Sequence, residues 1–109
     1  MRNAGTLLCL AALLASVAAR ADEPVSAARG ERLLTQYHCQ ACHQPYEARQ
    51  GPSLQAIARR FADDPHAIDV LEAAILNGST GAWGSTPMGP YDVPEKDLKP
   101  LVEWILAFR

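Results

Sequence analysis

The chain has 109 residues, with ten basic and twelve acidic side chains and a formal charge of −2. That length suits one domain and excludes an assembly of several. No basic run or patch interrupts the balance, which excludes nucleic acid as the expected partner.

The first 21 residues differ in kind from the rest. Met1-Arg2 supplies a positive start, Leu7 to Val17 is an apolar run without charge, and Ala19-Arg20-Ala21 offers small residues at both recognition positions of a cleavage site. This is the pattern of a secretory signal peptide over residues 1–21. The apolar run is about 11 residues long, against the roughly 20 needed to cross a bilayer, so no membrane span is expected once the signal is removed. Cys9 lies inside the run after Leu8, which is not the small residue a lipid-modified cysteine requires. The expected mature domain is 22–109, starting at Asp22. Without Arg2 and Arg20 it holds eight basic and twelve acidic side chains, a formal charge of −4. A domain this small often needs a metal, disulfides or a covalent group to complete its core.

Ser26 to about Tyr37 reads as a helix capped by Ser26, with Leu33, Leu34 and Tyr37 on its apolar stripe and Gly30 weakening its middle. Residues 44–53 are loop-like. Leu54 to Phe61 suits a short helix with Leu54, Ile57, Ala58 and Phe61 on one face. Asp64-Pro65 predicts a cap and first helical residue, for a helix reaching Asn77 with Ile68, Leu71 and Ile75 inward and Gly78 as its stop. Residues 78–94 are dense in Gly and Pro and predict no sustained regular structure. A last helix is expected to start near Asp97, which would leave Pro100 in its first turn, where a missing N–H costs little. No segment alternates with period two, so the expected fold class is all-α, with about four helices. Leu54, Ile57, Phe61, Leu71, Ile75, Trp104 and Ile105 are the candidates for core and cavity wall. The second long loop is too long to be filler and is expected to line something.

The two cysteines left in the mature chain both sit in "CQACH" at 39–43. A redox dithiol would begin a helix after a strand, but here a helix precedes it. Zinc needs about four ligands, and a histidine directly after the second cysteine has the wrong spacing for a finger. A disulfide across so small a loop would stabilise little. C-x-x-C-H is instead the attachment signature of c-type haem. Two intervening residues let Cys39 and Cys42 reach two vinyl groups and form thioethers, and His43 then sits beneath the iron as proximal ligand. A sixth ligand is sought among His38, His66, Met1 and Met88. Met1 belongs to the signal, His38 adjoins the attachment segment, and His66 lies off the apolar stripe of its helix. Met88, in "STPMGP", is the candidate.

On these residues the chain resembles the class I c-type cytochromes, especially the short periplasmic bacterial monohaem group, over nearly all of its mature length. "GPSL" at 51–54 is similar to the family segment in which a proline carbonyl accepts a hydrogen bond from the proximal histidine, which implies that role for Pro52. "NGSTGAWGSTPMGP" resembles the family's methionine loop, which implies that Trp83 serves the haem by pointing its N–H at a propionate. "LKPLVEWIL" resembles the terminal helix that packs across the first helix near Gly30. The chain departs from the group at Ala74, where an arginine often stands, and at Gly89-Pro90-Tyr91, where a proline and then an asparagine often follow the methionine.

The resemblance implies a small cytochrome c fold around one covalently bound haem c with its iron. It also implies a periplasmic, monomeric single-electron carrier that moves charge between a redox protein donor and acceptor and makes or breaks no substrate bond. The alternatives are a permanent haem subunit of a larger oxidoreductase complex and a gas-binding or peroxidatic haem protein.

Overall fold

The computed structural model describes residues 24–109, so the expected signal over residues 1–21 and its cleavage point before Asp22 lie outside the described residues. Four helices follow in chain order: α1 (Ala27–Gln36), α2 (Leu54–Arg60), α3 (Ala67–Asn77) and α4 (Glu95–Leu106). A 3-10 turn at Cys39–Ala41 follows α1, and a hairpin of β1 (Ser79–Gly81) and β2 (Gly84–Met88) joins α3 to α4.

The helix starts are set by local chemistry. Ser26 Oγ accepts from Arg29 N at 3.2 Å and Ser53 Oγ accepts from Ala56 N at 3.0 Å, each satisfying an amide that its helix cannot. Asp64, expected as the cap of α3, acts one turn earlier. Its Oδ1 accepts from His66 N at 2.8 Å and its carbonyl from Ala67 N at 3.1 Å, so Pro65 and His66 form a turn ahead of the helix. The last helix also departs from expectation, starting at Glu95 rather than near Asp97. Pro94 is extended (φ −59°, ψ 147°), and its carbonyl accepts from both Asp97 N and Leu98 N at 2.9 Å. Glu95 and Asp97 in the first turn favour the positive end of the helix dipole. Pro100 therefore lies inside the helix, where it forgoes a bond to the Lys96 carbonyl.

What offsets that cost is the face α4 buries. Leu98, Leu101, Val102 and Ile105 recur at i, i+3, i+4 and i+7, and Leu101 and Val102 are 0 % exposed. Fully burying such a side chain contributes about 1.5–3 kcal/mol. This stripe meets α1, α2 and α3, so α4 is the element the other helices share. The approach to α1 is close: a Cβ on Gly30 would lie 2.1–2.2 Å from the Trp104 indole. Of the expected core, Leu54, Ile57, Ile75 and Ile105 are buried, while Phe61, Leu71 and Trp104 pack half-buried around them.

The segment 78–94, expected to hold no sustained regular structure, contains a short hairpin. Ser79 pairs with Met88 and Gly81 with Gly84, with an irregularity between the two pairs, and Ala82–Trp83 forms the turn. Both strands are short and almost wholly exposed, so no alternation of apolar and polar residues marks them. The fold remains dominated by its four helices.

Tyr37, just past α1, donates its hydroxyl to Asp97 Oδ2 in the first turn of α4 at 2.5 Å. That bond, followed by burial and the charges of Asp97 and Asp92, pushes the Tyr37 pKa up to about 12. A raised tyrosine pKa means that the bond's stabilisation is complete below pH 10 and is lost as pH rises through the folded-state value. Tyr37→Phe should therefore lower the denaturant midpoint at pH 7. Its deficit against the unmodified protein should shrink between pH 10 and about 12. Denaturant titrations across that range check this; a deficit independent of pH would assign the effect of the substitution to packing alone.

Candidate functional site

The six residues singled out by sequence — Cys39, Cys42, His43, Pro52, Trp83 and Met88 — line one cleft. Its walls are largely apolar, with Leu34, Leu54, Ile57, Leu71, Ile75 and Ile105 contributing from all four helices.

The attachment segment is held by its own backbone. Cys39 O accepts from Cys42 N at 3.2 Å and from His43 N at 3.0 Å, and Ala41 N donates to His38 O at 3.3 Å. This tight turn brings both thiols and the imidazole to the same cleft. Entry into it requires a left-handed residue, and His38 takes that conformation at φ 59°. The left-handed region costs a non-glycine residue roughly 1 kcal/mol or more; nothing in the sequence marks His38 for it. Cys39 and Cys42 form no disulfide. Burial pushes the Cys39 thiol pKa above its ordinary value, so the group stays protonated near neutrality. The Cys42 thiol donates to Gln50 Oε1 at 3.1 Å.

His43 Nδ1 lies 2.8 Å from the Pro52 carbonyl oxygen. A carbonyl only accepts, so Nδ1 carries the proton and Nε2 keeps its lone pair for a metal. The carbonyl also raises the basicity of the ring. Two backbone features hold this pair. Gly51 N donates to Cys42 O at 3.0 Å, and Leu54 N donates to Gln44 O at 2.9 Å, which folds the loop back on the attachment turn. At Gly51 the backbone passes so close to the ring that a Cβ would lie 2.6 Å from His43 Cε1. Sequence reasoning gave Gly51 no role, since only the folded loop reveals the contact.

Met88 reaches the cleft from the end of β2, half-buried against the core. Its backbone is pinned from α3. Gly78 ends that helix at φ 80°, and a Cβ there would meet Met88 O at 2.7 Å. Tyr91 N donates to Ile75 O at 2.8 Å. Trp83, 42 % exposed, stands at the cleft's rim under the guanidinium of Arg60. Ala74 and Tyr91, the departures noted in the sequence, also line the cleft.

This donor set fits haem. It offers two thiols in one turn, an imidazole with a free Nε2, a thioether from a separate element, and apolar walls between. A zinc ion finds fewer partners: among the described residues no group of three or more His, Cys, Asp or Glu is placed to hold a metal ion.

Comparison with known proteins agrees with this chemistry. The family model for cytochrome c matches residues 27–108. Cytochrome c-551 of Ectopseudomonas mendocina is 43% identical over 82 residues, covering 75% of this chain and 100% of that protein. Cytochrome c-552 of Hydrogenobacter thermophilus is 37% identical over 79 residues, covering 72% of this chain and 81% of its own. The crystal structure of wild-type Nitrosomonas europaea cytochrome c552 superposes with a TM-score of 0.69 at 39% identity, covering 72% of this chain and 99% of that one.

The contact at Gly51 yields a test. Gly51→Ala should force the imidazole or the loop to move and lower stability by about 1–3 kcal/mol, the usual range for overpacking. The His43 Nδ1–H resonance should shift as its bond to Pro52 lengthens. Denaturant titration and nitrogen-15 NMR of the histidines measure both effects; an unshifted resonance with full stability would mean that the backbone at Gly51 does not hold the ring.

Proposed function

Taking as premise that the chain belongs to the cytochrome c family, whose members transfer electrons through covalently bound haem c, we propose that Cys39 and Cys42 hold the haem and His43 and Met88 bind its iron. We further infer that the protein is an exported, monomeric shuttle between two redox protein partners. It is an electron-transfer protein rather than an enzyme.

The observation that carries the ligand assignment is the bond from His43 Nδ1 to Pro52 O, which frees Nε2 for the iron. Haem c supplies a one-electron ferric–ferrous couple, and the protein decides its potential and its reach. Iron held by His43 and Met88 would have a higher potential than iron held by two nitrogen ligands. Leu54, Ile57, Ile75 and Ile105 line the cleft with apolar side chains, which would keep water from a bound haem and so disfavour its more charged oxidised form. Pro87 and Pro90 stiffen the chain on either side of Met88, which would leave a bound thioether little freedom to move between the two oxidation states. In this reading Trp83, which lines the cleft and is 42 % exposed, would donate its indole N–H to a haem carboxylate.

Export rests on the signal pattern of residues 1–21, and a periplasmic location follows for a bacterial chain of this kind. Among the described residues no helix is long and apolar enough to cross a membrane.

Mass spectrometry of the protein recovered from the periplasmic fraction should give a chain starting at Asp22 plus one haem, with gel filtration at the size of a single copy. A lipid-modified Cys9, retention of residues 1–21, or elution only within a larger complex would contradict the soluble shuttle.

Ligation by Met88 also separates a carrier from a gas-binder. Ferrous protein at neutral pH should take up carbon monoxide slowly or not at all. Met88→Ala should bind it readily, lose its sulfur-to-iron charge-transfer absorption when ferric, and fall in potential within the roughly 0.8 V range that axial ligands control. Rapid carbon monoxide binding by the unmodified protein, or an unchanged spectrum in the variant, would reject the assignment.

A further inference from the structure

Arg60 is the last residue of α2, and in the sequence it is one more basic residue at a helix end. The fold gives it a specific place. Its guanidinium carbon lies 4.5 Å from the centroid of the Trp83 ring, and its Nη1 donates to Ala82 O at 2.6 Å. Ala82 and Trp83 are the two turn residues of the hairpin, 22 and 23 positions further along the chain. From Gly78 to Tyr91 the chain carries no charged side chain, and most of its residues are exposed. The segment therefore has little core contact and no ion pair of its own to hold it down. Strand β2 runs from this turn to Met88, and Ala82, Trp83 and Met88 all face the same cleft.

We propose that Arg60 is a positioning residue for the methionine ligand. By gripping the Ala82–Trp83 turn through a cation–π contact and a hydrogen bond, it keeps the hairpin seated and sets how readily an outside ligand displaces the Met88 sulfur from the iron. This rests on the ligation by Met88 proposed above. Mass action governs the exchange of ligands. An outside ligand binds only the fraction of molecules in which the methionine segment has swung away, so apparent affinity scales with that fraction. An interaction made only in the seated form lowers the fraction, and removing it raises affinity in proportion. Arg60 is exposed and outside the core, so replacing it leaves the fold standing.

The test titrates ferric, haem-loaded protein with imidazole and follows the sulfur-to-iron charge-transfer absorption as it disappears. Arg60→Gln should bind imidazole about tenfold more tightly, the size expected when an exposed cation–π contact and one hydrogen bond are lost together. In a Trp83→Leu background the same substitution should change affinity by about threefold or less, because its stacking partner is already gone. A merely structural contribution from Arg60 would lower the denaturation midpoint and leave imidazole affinity where it was. Unchanged affinity in Arg60→Gln overturns the proposal, and so does a full tenfold effect that persists without Trp83. If the unmodified protein shows no sulfur charge-transfer absorption, the assignment of Met88 fails and this inference with it. A normal absorption with unaltered imidazole affinity removes the Arg60 role alone.

Discussion

The hydrogen bond between His43 Nδ1 and the Pro52 carbonyl ties the attachment turn to the start of α2. On one side of it lie the backbone bonds that bring Cys39, Cys42 and His43 to a common cleft. On the other, Ser53 caps α2, which places Leu54 and Ile57 in the wall of that cleft. The loop between has no regular structure, yet its ends are fixed by Gly51 N to Cys42 O and Leu54 N to Gln44 O. The one bond thus selects the tautomer that can bind iron and positions the ring by a segment that is itself part of the apolar core.

The rest of the molecule brings a thioether to the same cleft. Helix α4 collects α1, α2 and α3 along a single stripe, with the Gly30–Trp104 approach setting how near α1 can come. The chain between α3 and α4 is then free to fold out as a hairpin and return Met88 to the interior, pinned at Gly78 and at the Tyr91–Ile75 bond. A domain with so few buried side chains has a limited core, and a covalently bound haem lying against Leu34, Leu71 and Ile105 would add apolar contact where the protein supplies little of its own.

Much of this is legible in the sequence wherever local chemistry dictates the pattern. Covalent attachment of haem c would demand the spacing that Cys39, Cys42 and His43 show, so the candidate site can be found from five residues. Ser26 and Gly78 bound helices because a hydroxyl cap and a positive-φ stop act within a few residues of chain. The stripe Leu98, Leu101, Val102 and Ile105 has helical spacing, and reading Pro100 as a breaker obscures how early α4 begins. What escapes the sequence depends on distant partners. Asp64 looks like the cap of α3, but its side chain is taken by the amide of His66. The hairpin has no alternating pattern because its strands lie mostly in solvent. Gly51 and Arg60 acquire their roles from His43 and Trp83, which only the folded chain brings beside them.

The central claim is that the thioether of Met88 faces the haem iron. The chain has two methionines, Met1 and Met88, and removal of the proposed signal would leave Met88 alone, so mature protein grown with carbon-13 methyl methionine would carry a single label. A methyl group bound beside the iron lies over the porphyrin ring current. In the ferrous, diamagnetic protein its proton resonance is predicted far upfield of a free methionine methyl, at neutral pH and without added ligand. A label resonating at the ordinary methionine position in haem-loaded ferrous protein would contradict the account at its centre.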